Sequence, residues 1–301
     1  MVDNRRRRSG ANREPFVTGH GMGSMGYALR CDGSQAVDLA AVDTRGGGDI
    51  VKEAGKGDLD ALVKELGELQ ELLYAAGTDA LLIVLQGMDT SGKDGTIRAV
   101  LNNMNPSGIH VWSFKVPTAE ERAHDFLWRH HLHTPALSSV TVFNRSYYEA
   151  VIVELVKGIV SPEVAVSRYP HINDFEQLLD QSRTVVAKFF LHISKETQEE
   201  RLLARQKEVE KWWKLSLGDW QDRQRWDECI AAYQSAINAT ATTWAPWYVV
   251  PSDRKWYRNL AVAQALAEML RPHREDWLAA LRERGEQELV ALRDAGYVPS
   301  A

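Results

Sequence analysis

The segment Gly87-Met88-Asp89-Thr90-Ser91-Gly92-Lys93 has the pattern G-x-x-x-x-G-K, a spacing typical of backbone loops that bind phosphate. Its glycines allow the backbone to wrap around a phosphate group with several N–H groups pointing inward. The lysine would neutralise the negative charge that builds up during phosphoryl transfer. The pattern therefore predicts a catalytic Lys93 and phosphate contacts from Gly87, Thr90, Ser91, Gly92, Asp94, Gly95 and Thr96. The alternative is a glycine-rich turn that binds no ligand.

Two aspartates depart from the usual form of such a loop. Asp94 follows the lysine, where a serine or threonine normally ligates Mg²⁺, and Asp89 lies inside the loop. A carboxylate beside bound phosphates would be repelled unless a cation lay between them, and hard cations prefer oxygen ligands. We therefore expect Asp89 to be catalytic, by holding Mg²⁺ or orienting the attacking phosphate. Asp94 has either a direct role or the role of a first-turn acid that favours the helix dipole.

The elements around this loop predict an α/β fold. The run Ala80 to Leu85 is continuously apolar, as in a strand that is covered on both faces of a parallel sheet. Similar runs occupy 109–114, 140–143, 185–193 and 247–250, and helical patterns occupy 59–74, 95–104, 147–159, 174–180, 197–213 and 256–270. This alternation predicts a doubly wound parallel sheet, with the glycine-rich loop between a strand and a helix.

The chain divides into three predicted regions. Residues 1–56 are rich in Gly, Arg, Asp and Ser without a sustained period, which predicts a flexible N-terminal extension. Residues 57–272 would form a P-loop phosphotransferase domain with a helical lid at about 196–240, and 273–301 a charged C-terminal helix. That helix would pack either on the domain or on another subunit.

Composition excludes several classes of function. The net charge of −5 over 301 residues argues against a nucleic-acid binder, which usually carries a basic excess. No apolar run approaches the roughly 18 residues that span a bilayer, so we expect no membrane partner. The N-terminal MVDNRRRRSG lacks the apolar stretch of a secretory signal, and we therefore expect a cytoplasmic protein.

Four ordered motifs resemble the family-2 polyphosphate kinases, over a stretch from about Asp58 to Leu270. The most specific motif is the segment 85–96, in which the two unusual aspartates occur together. The second is Phe143 to Glu149. The third and fourth motifs contain Arg201, Arg205, Trp213 to Ser216, Asp219, Trp226 and Asp227, and then Ala245 to Val250 with Asp253, Lys255 and Arg258.

The resemblance implies a P-loop kinase-like fold with Mg²⁺ as the cofactor. A purine nucleotide (AMP, ADP or ATP) would bind on one side of the loop and inorganic polyphosphate in a basic channel on the other. A helical lid would close over both. We also expect a homo-oligomer.

Residues after the 140–143 strand complete the predicted site. Asn144 stands where many P-loop proteins place a metal-binding aspartate, and it offers a carbonyl oxygen without charge, so the metal would depend mainly on Asp89. Arg145 could bind two phosphate oxygens at the edge of the sheet where ligands lie, or form a structural salt bridge. Relatives with Glu at position 149 resemble the subgroup that accepts AMP as well as ADP. Glu149 could instead be a solvated first-turn carboxylate.

Basic residues of the predicted lid would complete the catalytic set. Arg201 and Arg205 lie four residues apart on one helical face, and Lys207 and Lys214 belong to a second stripe. Arginines from a mobile lid could stabilise transition-state charge and exclude water. The alternative is a solvent-exposed charged helix. Arg129 is a further expected phosphate contact.

The sequence thus predicts a polyphosphate-dependent nucleotide kinase that works reversibly, from AMP or ADP to ADP or ATP, with GDP as a further candidate acceptor. An ATP-dependent nucleoside monophosphate kinase of the thymidylate-kinase type is the alternative, although such enzymes carry Ser or Thr where this chain has Asp94. A nucleotide-binding regulatory or scaffold protein, docking through its charged tail, is a third possibility.

Overall fold

The computed structural model describes residues 26–47 and 50–297. Its sheet has the strand order β1-β6-β5-β2-β4-β3. Strands β2 to β6 are parallel to one another, whereas β1 pairs antiparallel with β6. The strands are β1 (Leu29–Cys31), β2 (Ala80–Gln86), β3 (Ile109–Ser113), β4 (Val140–Asn144), β5 (Thr184–His192) and β6 (Trp247–Pro251).

Eleven α-helices are present in the described ranges, and none is both long and apolar enough to cross a membrane. They are α1 (Lys52–Ala76), α2 (Lys93–Val100), α3 (Ala119–Ala123), α4 (Trp128–His131), α5 (Val153–Val156), α6 (Pro162–Gln181), α7 (Lys195–Lys207), α8 (Leu217–Gln224), α9 (Trp226–Thr240), α10 (Lys255–Leu270) and α11 (Arg274–Asp294). Short 3₁₀ helices occupy Leu39–Ala41, Pro106–Gly108, Tyr147–Ala150, Val209–Lys214 and Arg271–His273.

Helices cover both faces of the sheet. Residues of α1, α2, α10 and α11 form one apolar cluster with alternate sheet residues such as Leu81 and Ile83. Residues of α5, α6 and α9 form the other cluster with Leu82 and Val84. Every residue of β2 is buried, which explains why its sequence is apolar without alternation. The predicted α/β class and parallel sheet are therefore confirmed, with β1 as an antiparallel addition.

Two helical predictions are wrong in extent. The segment predicted as one helix over 147–159 forms a 3₁₀ helix at Tyr147–Ala150 and the single turn α5. Tyr147, Tyr148, Val151 and Ile152 are all buried, so this apolar run faces the core on several sides instead of forming one helical stripe. The helix predicted over 197–213 ends at Lys207, and a 3₁₀ helix follows.

The prediction of a flexible extension over 1–56 is wrong for residues 26–47, while residues 1–25 lie outside the described ranges. Strand β1 pairs with β6, and Leu39 is fully buried. The backbone N–H groups of Val37 and Leu39 donate to Asn238 and Gln234 of α9 at 2.8 Å. This segment is ordered because it supplies hydrogen bonds to the edge of β6.

The predicted lid over 196–240 includes a helix that belongs to the core. Helix α9 buries Trp226, Tyr233 and Ile237 in the apolar cluster of one sheet face. In contrast, the described residues of Val209–Lys214 and α8 have no buried member. Within the predicted lid, the segment between α7 and α9 therefore contains the two elements without a buried residue.

The charged C-terminal helix packs on the domain through its first turns. Trp277 is fully buried, and its indole Nε1 donates to Asp79 Oδ2 at 2.7 Å. Residues 282–294 of the same helix are exposed. The packing of this helix on its own domain is thus observed at Trp277.

A buried ion pair fixes the segment that follows β4. Lys188 of β5 donates to Glu176 of α6 at 2.6 Å, and both side chains are fully buried. The hydroxyls of Tyr147 and Tyr148 donate to the same carboxylate at 2.8 Å. Lys188 also donates to the Thr240 carbonyl at 2.8 Å. This network joins β5, α6 and α9 to the turn that carries the predicted site residue at position 149.

We expect Glu176→Gln to destabilise the protein by about 3–5 kcal/mol, because it leaves the Lys188 charge buried without a counter-charge. Denaturant unfolding at neutral pH measures this change. The double variant Glu176→Gln with Lys188→Met removes both charges and should lose less stability than Glu176→Gln alone. An equal or greater loss in the double variant would contradict the charge explanation.

Candidate active site

The glycine-rich loop spans residues 87–92 between β2 and α2. Gly87 and Gly92 have φ angles of 150° and 105°. The φ of Gly92 disfavours any residue with a side chain, and a Cβ atom there would lie 1.8 Å from Nη1 of Arg258 and displace that guanidinium. Thr90 also has a positive φ of 66°, which is uncommon for a residue with a side chain.

Lys93 is buried at the end of the loop, and its ammonium donates to the carbonyls of Gly87 at 2.7 Å and Met88 at 3.4 Å. Burial, with the nearby Arg145 charge, lowers the pKa of Lys93 to about 8, although Asp89, Glu149 and Asp94 oppose this shift. The ammonium is therefore held in a site where an additional negative charge would be favourable.

Two hydroxyl groups of the loop, Thr90 Oγ1 and Ser91 Oγ, are buried without a hydrogen-bond partner. Buried polar atoms normally have such partners, so two neighbouring residues whose hydroxyls lack one need an explanation. A bound phosphate or hydrated cation would supply the missing bonds.

Arg145 connects the loop to the segment after β4. Its Nη2 donates to Asp89 Oδ1 at 2.6 Å, and its Nη1 lies 3.6 Å from Glu149 Oε2. Burial alone would lower the pKa of Arg145, but the carboxylates of Glu149 and Asp89 outweigh it and the net shift is upward. Burial raises the pKa of Glu149. The structure thus brings together the predicted residues Asp89, Lys93, Arg145 and Glu149.

Asp94 links the first turn of α2 to β4 and to the predicted lid. It accepts hydrogen bonds from Asn144 Nδ2 at 2.9 Å and from Lys214 Nζ at 2.7 Å. These two donors lower the pKa of Asp94 although its partial burial would raise it. Asn144 therefore orients Asp94 through its amide nitrogen, and its carbonyl oxygen is the atom that a metal would use.

The two predicted lid arginines contact protein groups. Arg201 donates to the carbonyls of Thr90 at 2.8 Å and Ser252 at 2.7 Å, and so braces the glycine-rich loop against the end of β6. Arg205 donates to Asp219 Oδ2 at 2.8 Å and to the carbonyl of Lys214 at 3.1 Å. In this arrangement both side chains act as positioning groups, and a direct contact with phosphate stays a prediction.

Four other predicted phosphate contacts have different surroundings. Arg129 is buried and donates to Glu121 at 3.1 Å and to the carbonyl of Lys115 at 2.8 Å, so a phosphate contact would require it to leave both. Lys207 is exposed at the end of α7. Thr96 donates to the Gly92 carbonyl at 3.2 Å, and a Cβ at Gly95 would lie 3.2 Å from Arg258. Thr96 thus ties α2 to the end of the loop, and Gly95 leaves room for Arg258 of α10.

Sequence reasoning did not assign roles to Arg258 and Gln198. Arg258 is buried on α10, and its Nη1 donates to the Ser91 carbonyl at 3.2 Å. Burial, together with the Arg201 charge, lowers the pKa of Arg258 to about 10. Gln198 is fully buried and donates to the Asp89 carbonyl at 3.3 Å. In the sequence, the feature that could have indicated a role for Arg258 is that it is a single arginine on the apolar face of the helix α10.

The oxygen atoms at this site suit a hard divalent cation. Within residues 26–47 and 50–297, no group of three or more His, Cys, Asp or Glu side chains could hold a metal by itself. Mg²⁺ does not need such a group, because it is commonly bound by one or two carboxylates together with water and substrate phosphates. Asp89, Asp94 and the unpaired hydroxyls of Thr90 and Ser91 provide donors of this kind.

The family described as polyphosphate kinase 2 (PPK2) matches residues 49–276 of this chain. The chain belongs to this family. The match contains the glycine-rich loop, Arg145 and Glu149, Arg201, and the buried Arg258. It therefore covers every predicted site residue.

Relatives of the polyphosphate kinase 2 family are similar over most of their length. The AMP/ADP-polyphosphate phosphotransferase of Meiothermus ruber is 49% identical over 219 residues, which are 73% of this chain and 82% of that protein. The ADP-polyphosphate phosphotransferase of Rhodopseudomonas palustris is 43% identical, over 69% of this chain and 76% of that protein. The crystal structure of polyphosphate kinase 2 from Arthrobacter aurescens TC1 has a TM-score of 0.76 and 43% identity, covering 78% of this chain and 85% of that one.

The lowered pKa of Lys93 leads to a pH prediction. At pH 8, near the pKa of about 8, about half of the free protein would carry a protonated Lys93. A phosphate anion in the loop would raise this pKa, so binding of tripolyphosphate at pH 8 should take up about half a proton. Binding should also weaken as the pH rises from 7 to 9.

Calorimetry in buffers of different ionisation enthalpy measures this proton uptake. Lys93→Arg is the matched control, because arginine keeps its charge throughout this pH range. Uptake of the same size in both proteins would show that Lys93 is not the group that titrates.

Proposed function

We propose that this polyphosphate kinase 2 transfers a phosphoryl group reversibly between inorganic polyphosphate and a purine nucleotide, with both AMP and ADP as acceptors. The observation that carries the proposal is the contact of Asp89 with Arg145 beside the buried Lys93, in a chain of this family. The printed activities of the relatives from Meiothermus ruber and Rhodopseudomonas palustris support it.

In this proposal the glycine-rich loop is a P-loop that holds the reacting phosphates. An oxygen of the acceptor's terminal phosphate attacks the terminal phosphorus of the polymer, and the bridging P–O bond to the next phosphate breaks. The nucleotide gains one phosphoryl group and the polymer leaves one unit shorter. Since phosphates supply both the attacking and the leaving oxygen, the protein contributes position and positive charge and no nucleophile.

Lys93 and Arg145 would provide that positive charge. Both already lie next to carboxylates, with Arg145 bonded to Asp89 at 2.6 Å. A phosphate oxygen would replace the carboxylate as the partner of Arg145, because guanidinium groups bind phosphate in the same two-point geometry. Asp89 would then be available as an oxygen ligand.

Mg²⁺ is the proposed cofactor, and it would supply positive charge that neutralises the reacting phosphates. Asp89 would hold it, with Asn144 Oδ1 and the loop hydroxyls as further oxygen donors. The ion pair between Asp89 and Arg145 supports this assignment, because it shows that the Asp89 carboxylate lies where a positive charge is favourable.

The exposed segment between α7 and α9 is the proposed lid. Lys214 in this segment donates to Asp94 at 2.7 Å, so the segment already contacts the first turn of α2, directly after the loop. Closure over the phosphates would exclude water and limit hydrolysis. Arg205 would hold the lid backbone through its bonds to Asp219 and Lys214.

An ATP-dependent nucleoside monophosphate kinase and a non-catalytic nucleotide-binding protein are the competing functions. All three are separated by one assay that contains purified protein, Mg²⁺, long-chain polyphosphate and AMP or ADP, without a nucleoside triphosphate. We expect ADP from AMP and ATP from ADP. Transfer only after ATP is supplied would favour the monophosphate kinase, and binding without turnover would favour the third function.

In the same assay, Lys93→Ala and Asp89→Ala should each lower kcat by at least about a hundredfold, as expected for loss of a group that stabilises transition-state charge. Lys64→Ala, which removes an exposed lysine of α1, is the control and should retain activity. Circular dichroism would verify that the variants fold. Full activity in both Ala variants would refute this placement of the site.

Glu149 is the proposed determinant of the acceptor. Its Oε2 lies 3.6 Å from Arg145 Nη1 in a partly buried position, so it balances one positive charge beside the loop. Its replacement by asparagine removes this negative charge and shortens the side chain by one methylene group. The surplus positive charge would then favour the more highly charged ADP over AMP.

We therefore expect Glu149→Asn to lower kcat/KM for AMP relative to ADP by roughly tenfold, equivalent to about 1.4 kcal/mol. Steady-state kinetics with each nucleotide at saturating polyphosphate measures this ratio. Glu154→Asn is the matched control, because Glu154 also pairs with an arginine, Arg168, at 2.8 Å. An unchanged ratio in Glu149→Asn would remove Glu149 as the determinant.

We further propose a cytoplasmic location and a homo-oligomeric state. Both cysteines, Cys31 and Cys229, are buried free thiols, which suits a reducing compartment. The homo-oligomer stays a prediction.

A further inference from the structure

Gln86 is the last residue of β2 and lies directly before the glycine-rich loop. Its side chain is fully buried. The amide oxygen Oε1 has no hydrogen-bond partner within residues 26–47 and 50–297. A buried polar atom without a partner costs free energy, so for packing alone an apolar side chain of the same size would be more stable. The presence of an amide at this position therefore needs another explanation.

The turn after β4 has a strained backbone beside Gln86. Arg145 has a φ of 64°, which is uncommon for a residue with a side chain. Its N–H donates to the carbonyl of Leu85 at 3.1 Å. The next residue, Ser146, is fully buried, and its Oγ accepts from Gln86 Nε2 at 3.5 Å. The last two residues of β2 thus hold the turn from which the Arg145 side chain projects.

Gln86 also contacts the carboxylate of Glu149. Burial raises the pKa of Glu149, and the Asp89 charge adds to this effect. Arg145 and Lys93 lower this pKa, and so does a hydrogen bond from the Gln86 side chain. Because an ionised carboxylate can only accept hydrogen bonds, the donor is the amide nitrogen of Gln86. The amide therefore stabilises the charged form of Glu149.

Aromatic rings surround this contact on the side of the core. Gln86 pairs in register with Phe190 of β5, and the Phe190 ring packs against Tyr233 of α9 with 4.5 Å between the ring centroids. Burial raises the pKa of Tyr233 well above its ordinary value, and the Glu149 charge adds to this effect, so the two side chains lie close together. In surroundings of low polarity, a hydrogen bond to a carboxylate is stronger than it would be in water.

We propose that Gln86 is a positioning residue that holds the Glu149 carboxylate beside Arg145 and thereby contributes to the choice between AMP and ADP. This inference rests on the proposed function, in which Glu149 determines the acceptor, and extends it to a residue of β2. Without the amide, Glu149 would be protonated more readily and would be free to turn away from Arg145. The acceptor preference would then change in the same direction as in Glu149→Asn.

Nucleotide binding tests this position without requiring turnover. Gln86→Met keeps the length of the side chain and removes the amide. We expect the affinity for AMP relative to ADP to fall about threefold, within the range for the loss of one hydrogen bond. Isothermal calorimetry with each nucleotide measures this ratio. In the Glu149→Gln background the same substitution should have no further effect, because no carboxylate is left to position.

The pH dependence is a second readout, and a purely structural role of Gln86 would not change it. Loss of the hydrogen bond raises the pKa of Glu149, so its carboxylate becomes protonated at a higher pH. The pH at which the affinity for AMP relative to ADP falls on acidification should therefore be higher in Gln86→Met than in the wild type. The nucleotides ionise identically in both measurements, so the difference belongs to the protein.

Gln70→Met is the matched control. Gln70 of α1 is also fully buried, and its Nε2 has no hydrogen-bond partner in the part of the chain that the structure describes. Its Oε1 accepts from the Asn105 N–H at 2.9 Å, outside the candidate site. This variant removes a buried amide of the same size and should leave the ratio of the two affinities unchanged.

The exchanged pair, Gln86→Glu with Glu149→Gln, keeps one carboxylate and one amide beside Arg145. It should bind AMP, relative to ADP, more tightly than Glu149→Gln alone, and equal ratios in these two variants would contradict the contact between the side chains. An unchanged ratio in Gln86→Met, or the same loss with and without the Glu149 carboxylate, would overturn the proposal. A wild-type protein that transfers no phosphoryl group from polyphosphate would refute the proposed function, while the binding measurements would still decide the role of Gln86.

Discussion

The candidate site depends on three buried or partly buried cations that donate hydrogen bonds to carbonyl groups of the glycine-rich loop. Arg201 bonds the carbonyl of Thr90, Arg258 bonds that of Ser91, and Lys93 bonds that of Gly87. A peptide plane whose carbonyl points toward an arginine directs its N–H in the opposite direction. The arginines therefore fix the orientation of these peptide groups, and the Ser91 N–H opposite the Thr90 carbonyl donates to the Met88 carbonyl at 3.0 Å. Gly92 is required at the same place because it leaves room for Arg258.

The remaining charged side chains of the site form pairs, and in the proposed function a phosphate would take the place of the carboxylate. Arg145 lies between Asp89 and Glu149, and Asp94 lies between Asn144 and Lys214. Such pairing limits the cost of keeping isolated charges partly buried before a ligand arrives. In the proposed function these cations would exchange a carboxylate for a phosphate oxygen, and the released carboxylates would be suited to a divalent cation. The pair Lys188 and Glu176 is different, because it is enclosed in the core and fixes the turn that carries Glu149.

The segment 26–47 has a larger part in this structure than a tail would have. It extends the sheet at β6 and contacts α9. Near its end, Arg45 lines a surface cavity together with Arg201 and Lys255. Asp253 joins this segment to the first turn of α7 and to the end of β6. Since α7 also carries Arg201, the N-terminal segment, the cavity and the glycine-rich loop are connected through a short series of hydrogen bonds.

The sequence by itself determined the features that depend on neighbouring residues. The apolar run of β2, the periodicity of α10 and the G-x-x-x-x-G-K pattern each arise within a few positions, and they predicted the α/β class, the position of the loop and the family. Two short motifs at the ends of adjacent strands predicted Asp89, Lys93 and Arg145 as site residues, and the family resemblance added Glu149.

The tertiary structure decided which side chains meet across long separations. Arg258 and Ser91 are 167 residues apart, Arg201 and Thr90 are 111 apart, and Leu39 is 195 from Gln234. An arginine has many chemically suitable carbonyl and carboxylate partners, and only the packing of α7 and α10 against the loop selects among them. For the same reason, composition predicted a flexible tail at residues that the edge of β6 holds as a strand. Hydrogen bonding at a sheet edge depends on the partner strand, and that partner lies more than two hundred residues away in the chain.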